Sequence, residues 1–135
     1  MNETNKKWIS EYARLSNLYG CAIEAGNHKQ ANKAYDKLME AYQQIKAQGA
    51  LTSEDFHELL FAPSMGTRLW AATHYLAISY DKAEKVLATL GEVPNSLLAV
   101  SAKITLEEWE KGRLVDFDKN VDSTVECQDE KTKSR

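Results

Sequence analysis

Apolar residues recur along the first half of the chain with the spacing of one helix face. Trp8, Tyr12, Leu15, Tyr19 and Ala22 follow one another at steps of four and three, with Ile9 and Ile23 at the margins. Residues so spaced stand above one another on a helix and form a single stripe. Gly26 can take the left-handed conformation that closes a helix, and Asn27 can cap the next one. The spacing restarts with Ala31, Tyr35, Leu38, Tyr42 and Ile45. Two long helices with so short a connection predict an antiparallel hairpin, with Tyr12, Tyr19, Tyr35 and Tyr42 along its seam. Gly49 lies just past its end.

Beyond the hairpin the segments shorten. Thr52 and Asp55 form a candidate capping box, and Phe56, Leu59 and Leu60 give a short helix its apolar face. Pro63 stops that helix, since proline disfavours helical geometry in the residue before it. Ser64 then caps a third long helix carrying Leu69, Ala72, Leu76 and Tyr80, with Ala71, Ala72 and Ala77 small enough for close helix approach. A second cap at Asp81 opens a short helix with Ala83, Val86, Leu87 and Leu90. Pro94 fits at or near the first turn of the last helix, which carries Leu98, Ala102, Thr105 and Trp109, with Val100 and Ile104 beside them. Trp109 is expected as a lid on the core, partial exposure being the alternative, and Gly112 ends the helix.

A shift of 30 residues pairs Leu60 with Leu90, Leu69 with Ala99, Ala72 with Ala102 and Leu76 with Leu106. Each unit is a short helix, a proline-containing turn and a longer helix, a period in the range of helical solenoid repeats. The expected fold is therefore all-α: the antiparallel hairpin followed by two helix pairs in a short right-handed stack. Residues 1–114 make one domain. Residues 115–135 make a polar tail, disordered or docked through Val115, Phe117, Val121 and Val125.

Composition alters this picture little. At 135 residues the chain can bury a core of its own, and its net charge of −3 argues weakly against nucleic-acid binding. The charge is unevenly spread. Residues 1–50 hold five acids and seven Lys/Arg, whereas residues 51–114 hold nine acids and six bases. The basic set Lys29, Lys33 and Lys37 is a short stripe without arginine. Cys21 and Cys127 are expected as a buried thiol and a solvent thiol, with no disulfide framework. No signal peptide or membrane span is apparent, so the protein is expected in the cytoplasm.

His28, His57 and His74 stand in no metal-binding spacing and read as a cap, a solvated face or a hydrogen-bonded core edge. Nothing here calls for a cofactor, a metal or catalytic residues. What remains is surface. The acids Glu54, Asp55, Glu58, Glu107, Glu108 and Glu110 are the candidate contacts to a basic partner, and Trp70, Tyr75 and Tyr80 are candidate aromatic anchors if they escape the core.

Two stretches carry a resemblance. "TRLWAATHYLAISYDKAEKVLATL" and "SAKITLEEWEKGRL" resemble a small bacterial HEAT-like domain family of unknown function (number 2019), through Arg68, Ala71, Ala72, the Ala83–Leu87 segment and the ending Leu106, Trp109, Gly112, Arg113, Leu114. The resemblance spans roughly residues 8–114. It implies an all-helical HEAT-like fold and no catalytic residues. Small proteins of this kind look similar to immunity proteins paired with secreted toxins, including those of contact-dependent growth inhibition. The implied function is binding and neutralising a cognate toxin, a basic nuclease, as a monomer within a heterodimer, without direct nucleic-acid or membrane contact. The alternatives are a HEAT-like enzyme of the DNA glycosylase type and a general interaction scaffold.

Overall fold

The computed structural model describes residues 3–112, and among them the chain forms helices and turns with no strand. Helix α1 spans Glu3–Glu24, α2 His28–Ala47, α3 Glu54–His57, α4 Met65–Tyr75, α5 Tyr80–Leu90 and α6 Leu97–Glu110. Short 3-10 turns at Ala50–Thr52 and Glu58–Phe61 flank α3. The tail from residue 115 and Cys127 lie outside the described residues.

Local chemistry sets most boundaries. Gly26 takes φ 74° and Gly49 φ 69°, which close α1 and the turn after α2. Asn27 caps α2 by accepting the Gln30 amide at 3.1 Å, and Ser64 caps α4 through Thr67. Four expected boundaries move. Ser53, not Thr52, caps α3, accepting from the Phe56 amide at 3.2 Å, because Thr52 is used in the preceding 3-10 turn. The third long helix stops at Tyr75, where the amides of Ile78 and Ser79 both turn back to the Tyr75 carbonyl. Tyr80 is consequently the first residue of α5, with Ser79 as its N-cap residue in place of Asp81. Pro94 stays in the turn before α6, which begins after Ser96.

The core runs through all six helices. α1 and α2 pack along one another, α4 lies against α1 and α5, and α6 packs on α5, α1 and α4. The four tyrosines of α1 and α2 converge on α4. Tyr42 stacks on His74 with ring centroids 3.8 Å apart, and the Tyr12 hydroxyl is 2.6 Å from His74 Nδ1. Tyr19 and Tyr35 flank Trp70. Tyr12 and Tyr42 are buried, Tyr19 is half-buried and Tyr35 exposed. His74 is therefore inside the core, not at its edge, and burial pushes its pKa down to about 3. Burial likewise pushes the Tyr12 phenol well up.

Close approach of α1 and α4 depends on two glycines. A Cβ on Gly66 would stand 2.3 Å from the Ser16 carbonyl oxygen, and one on Gly20 would stand 2.9 Å from Gly66 Cα. Beside them Ser16 donates to Thr67 Oγ1 at 2.9 Å, and Thr67 donates to the Ala13 carbonyl at 3.1 Å. Ala71 and Ala72 are buried as expected, but Ala77 is exposed. Cys21 is also exposed, because it lies on the outer side of α1. Trp109 is partly buried and packs against the core as a lid.

Candidate functional site

Helix α6 is held at its start by a residue far away in sequence. Ser96 caps it conventionally, accepting the Ala99 amide at 3.1 Å. Glu24, the last residue of α1, accepts from the amides of Leu97 at 3.0 Å and Leu98 at 3.2 Å and from the Ser96 hydroxyl. The Ser96 hydrogen bond, followed by the two amides, holds the Glu24 carboxyl below its usual range. A carboxylate on free amides at a helix N-terminus is favourable for both hydrogen bonding and the helix dipole. The C-terminus of α1 thus fixes where α6 begins.

The inward face of α6 is narrow. Leu98, Ala99 and Ala102 are buried, with Leu106 and Trp109 packed against the core. Val100 and Ile104, expected beside that face, point the other way: the 100° turn per residue carries them round with Leu97. Leu97, Val100 and Ile104 are 52%, 51% and 53% exposed, and Val93 in the preceding turn is also exposed. An open groove of about 580 Å³ adjoins them, lined by Val93, Pro94, Leu97, Val100 and Lys103 among others.

The same helix then becomes acidic. Glu107 and Glu110 are exposed and Glu108 is half-buried. The last turn of α6 carries no base, so these acids face the negative end of the helix dipole. Tyr80, exposed rather than a core residue, donates to Glu110 Oε2 at 2.5 Å, and that hydrogen bond pushes the phenol up to about 12. Of the other two aromatic candidates, Tyr75 is buried and Trp70 half-buried, so neither stands free as an anchor.

The remaining acids belong to another place. Glu54 and Glu58 are exposed and Asp55 is half-buried. Asp55 and Glu58 border a groove of about 420 Å³ shared with Lys6, Ile9, Ser10 and Leu59. Lys6 gives that groove mixed charge. α3 packs mainly on α1 and its flanking turns, and α6 on α5, α1 and α4, so the two acidic triplets stand on separate elements.

A family model described as a domain of unknown function (DUF2019) matches residues 8–110. The chain belongs to this family. The match runs from the second turn of α1 to the last residue of α6, so the DUF2019 domain here is the six-helix unit itself. No curated protein and no solved structure matches the chain. Among the described residues of the DUF2019 domain no group of three His, Cys, Asp or Glu could hold a metal ion, and no helix is long and apolar enough to cross a membrane.

Proposed function

We propose that this DUF2019 protein is an immunity protein, which binds a cognate bacterial toxin of the contact-dependent inhibition type and blocks its active site or substrate cleft. In this reading α1 and α2 form an antiparallel hairpin. Two HEAT-like pairs follow in a short right-handed stack, whose last helix is left open on its outer side. The observation that carries the proposal is that outer side of α6, where three half-exposed aliphatic residues lead into Glu107, with Glu110 beside it towards α5. Apolar anchors beside a charged rim are the anatomy of a protein–protein interface.

The two halves of the surface have different tasks. Covering Leu97, Val100 and Ile104 removes apolar area from water and supplies affinity. The acids attract a basic cleft of the kind that binds nucleic-acid phosphates, which speeds encounter and orients the toxin. Glu54, Asp55 and Glu58, on a separate part of the surface, supply a second contact. The choice of a toxin as partner rests on the likeness between this small helical domain and immunity proteins, a fold-level analogy.

The test is co-expression with the product of the gene immediately upstream. The expected result is protection of growth and a one-to-one complex on gel filtration. A chain that neither binds that product nor protects cells from it overturns the proposal.

A further inference from the structure

The 30-residue shift that superimposes the buried positions of α4 and α6 also superimposes their opposite faces. It lays Leu69 on Ala99, Ala72 on Ala102 and Leu76 on Leu106, all of which point inward. The same shift lays Thr67 on Leu97, Trp70 on Val100 and His74 on Ile104. On α4 those three positions are covered by α1 and α2: Thr67 by Ser16, Trp70 by Tyr19 and Tyr35, His74 by Tyr12 and Tyr42. On α6 the matching three are aliphatic and each more than half exposed. Among the described residues, α6 is therefore uncovered on the face where α4 receives two helices.

We infer that a helix of a partner protein packs on this face, and that it is amphipathic and basic. Resting on the immunity reading above, this names the part of the partner that is gripped. The helical form follows from the repeat, since the position of the occupant corresponds to that of α1 on α4. Residues at i, i+3 and i+7 on α6 (Leu97, Val100, Ile104) are matched by an apolar stripe at helical spacing on the occupant. Its basic character follows from charge. Beyond Ile104 the face meets Glu107, with Glu110 to its side towards α5, and these acids with Glu108 outnumber the C-cap Lys111, so that at this helix C-terminus a lysine or arginine is favoured and an acid repelled. The groove beside Val93 and Pro94 takes the other end of the helix.

The experiment titrates the whole chain with three synthetic peptides, using amide chemical shifts and fluorescence anisotropy. One peptide is a leucine–lysine helix with leucine at i, i+3, i+4 and i+7; the second has glutamate for every lysine; the third has the composition of the first in scrambled order. The expected result is saturable binding of the first peptide alone, with shifts centred on Leu97, Val100 and Ile104. The pair Val100→Asp and Ile104→Asp lowers its affinity at least tenfold. The milder pair Val100→Thr and Ile104→Thr lowers it several-fold with the fold unchanged by circular dichroism. Glu107→Gln with Glu110→Gln weakens binding and flattens its salt dependence. Equal binding of the glutamate or scrambled peptide overturns the inference. So does the absence of binding, or a dimer of the chain that the aspartate pair dissolves. Protection from the toxin that survives the aspartate pair intact also overturns it while leaving the immunity role standing. Helix binding at α6 without protection does the reverse.

Discussion

Helix α4 buries eight of its eleven residues, and α6 buries three of its fourteen. Both carry the same inward pattern one period apart, yet the outer positions of α4 (Thr67, Trp70, His74) are the more polar set and the more enclosed. Burial here is decided by what lies above a helix, not by the hydrophobicity of its own residues. The α1–α2 pair covers α4, gives Thr67 and His74 hydrogen-bond partners in Ser16, the Ala13 carbonyl and Tyr12, and lays Tyr19 and Tyr35 against the Trp70 ring. α6 has aliphatic residues on its outer side and the described chain leaves them half-uncovered. A polar, enclosed face is specified from within the molecule; an apolar, open one is suited to something outside it.

The largest test of that contrast is at Gly66. Gly66→Val forces side-chain atoms into the Ser16 carbonyl and Gly20, and overpacking of this kind costs about 3 kcal/mol. Its counterpart one period on is Ser96, where Ser96→Ala removes a cap and costs about 1 kcal/mol. Urea unfolding of both variants should separate them by a clear difference in midpoint at the same slope. Equal midpoints would mean that the α1–α4 crossing is looser than the glycine contacts indicate.

Next in size is the pair His74→Ala and Ile104→Ala. Removing the imidazole leaves a hole under Tyr42 and takes away the partner of the Tyr12 hydroxyl, for a loss of about 3 kcal/mol. Removing the Ile104 side chain from the open face should change stability by no more than ~0.5 kcal/mol. Thermal unfolding of the two proteins distinguishes an enclosed face from an open one directly.

Acid should expose the same asymmetry without mutation. His74 has a folded-state pKa of about 3 against an ordinary 6.5, so between those values the unfolded chain binds a proton that the folded chain refuses. The stability from a neutral His74 is complete above pH 6.5 and is lost as pH falls toward 3. The slope approaches 1.4 kcal/mol per pH unit at full effect, by linkage. His74→Asn keeps a polar group there without a titrating one. Its stability should be flat between pH 6.5 and 5, where the parent chain already declines. Parallel curves for the two chains would show that the imidazole is not sealed off.

How far these features can be read from sequence follows from the distance over which each is determined. Helix faces such as Leu69, Ala72 and Leu98, Ala102, and caps such as Asn27 and Ser64, depend on residues within one or two turns and are legible directly. The break after Tyr75 is not, because Leu69, Ala72, Leu76 and Tyr80 keep helical spacing across it and no glycine or proline marks it. Gly20 and Gly66 each look like a weak helix position until α1 and α4 are seen to cross there. His74 looks like a mid-helix polar residue because Tyr12 and Tyr42, which enclose it, lie 62 and 32 residues away. At the candidate site the acids are visible as charge clusters. That Glu107 and Glu110 adjoin an apolar stripe, while Asp55 and Glu58 share a groove with Lys6, depends on which side each helix turns to solvent.

The smallest expected effect lies where the two regions are joined. Glu24 ends α1 on the enclosed side and caps α6 on the open side, so Glu24→Ala should act on α6 alone. The carboxylate is largely exposed, and screening by solvent limits its contribution to about 0.5–1 kcal/mol. Its folded-state pKa lies below the ordinary value, so that contribution is present above pH 4.5 and disappears as pH falls through the lower value. Amide hydrogen exchange gives the decisive readout. In Glu24→Ala the amides of Leu97 and Leu98 lose their acceptor and should exchange faster, while those of Leu69 to Thr73 in α4 should keep the protection of the parent chain. Loss of protection in both helices together would mean that they open as one cooperative unit. Loss confined to α6 would mean that the outer helix can adjust to a partner while the α1–α2–α4 core stays fixed beneath it.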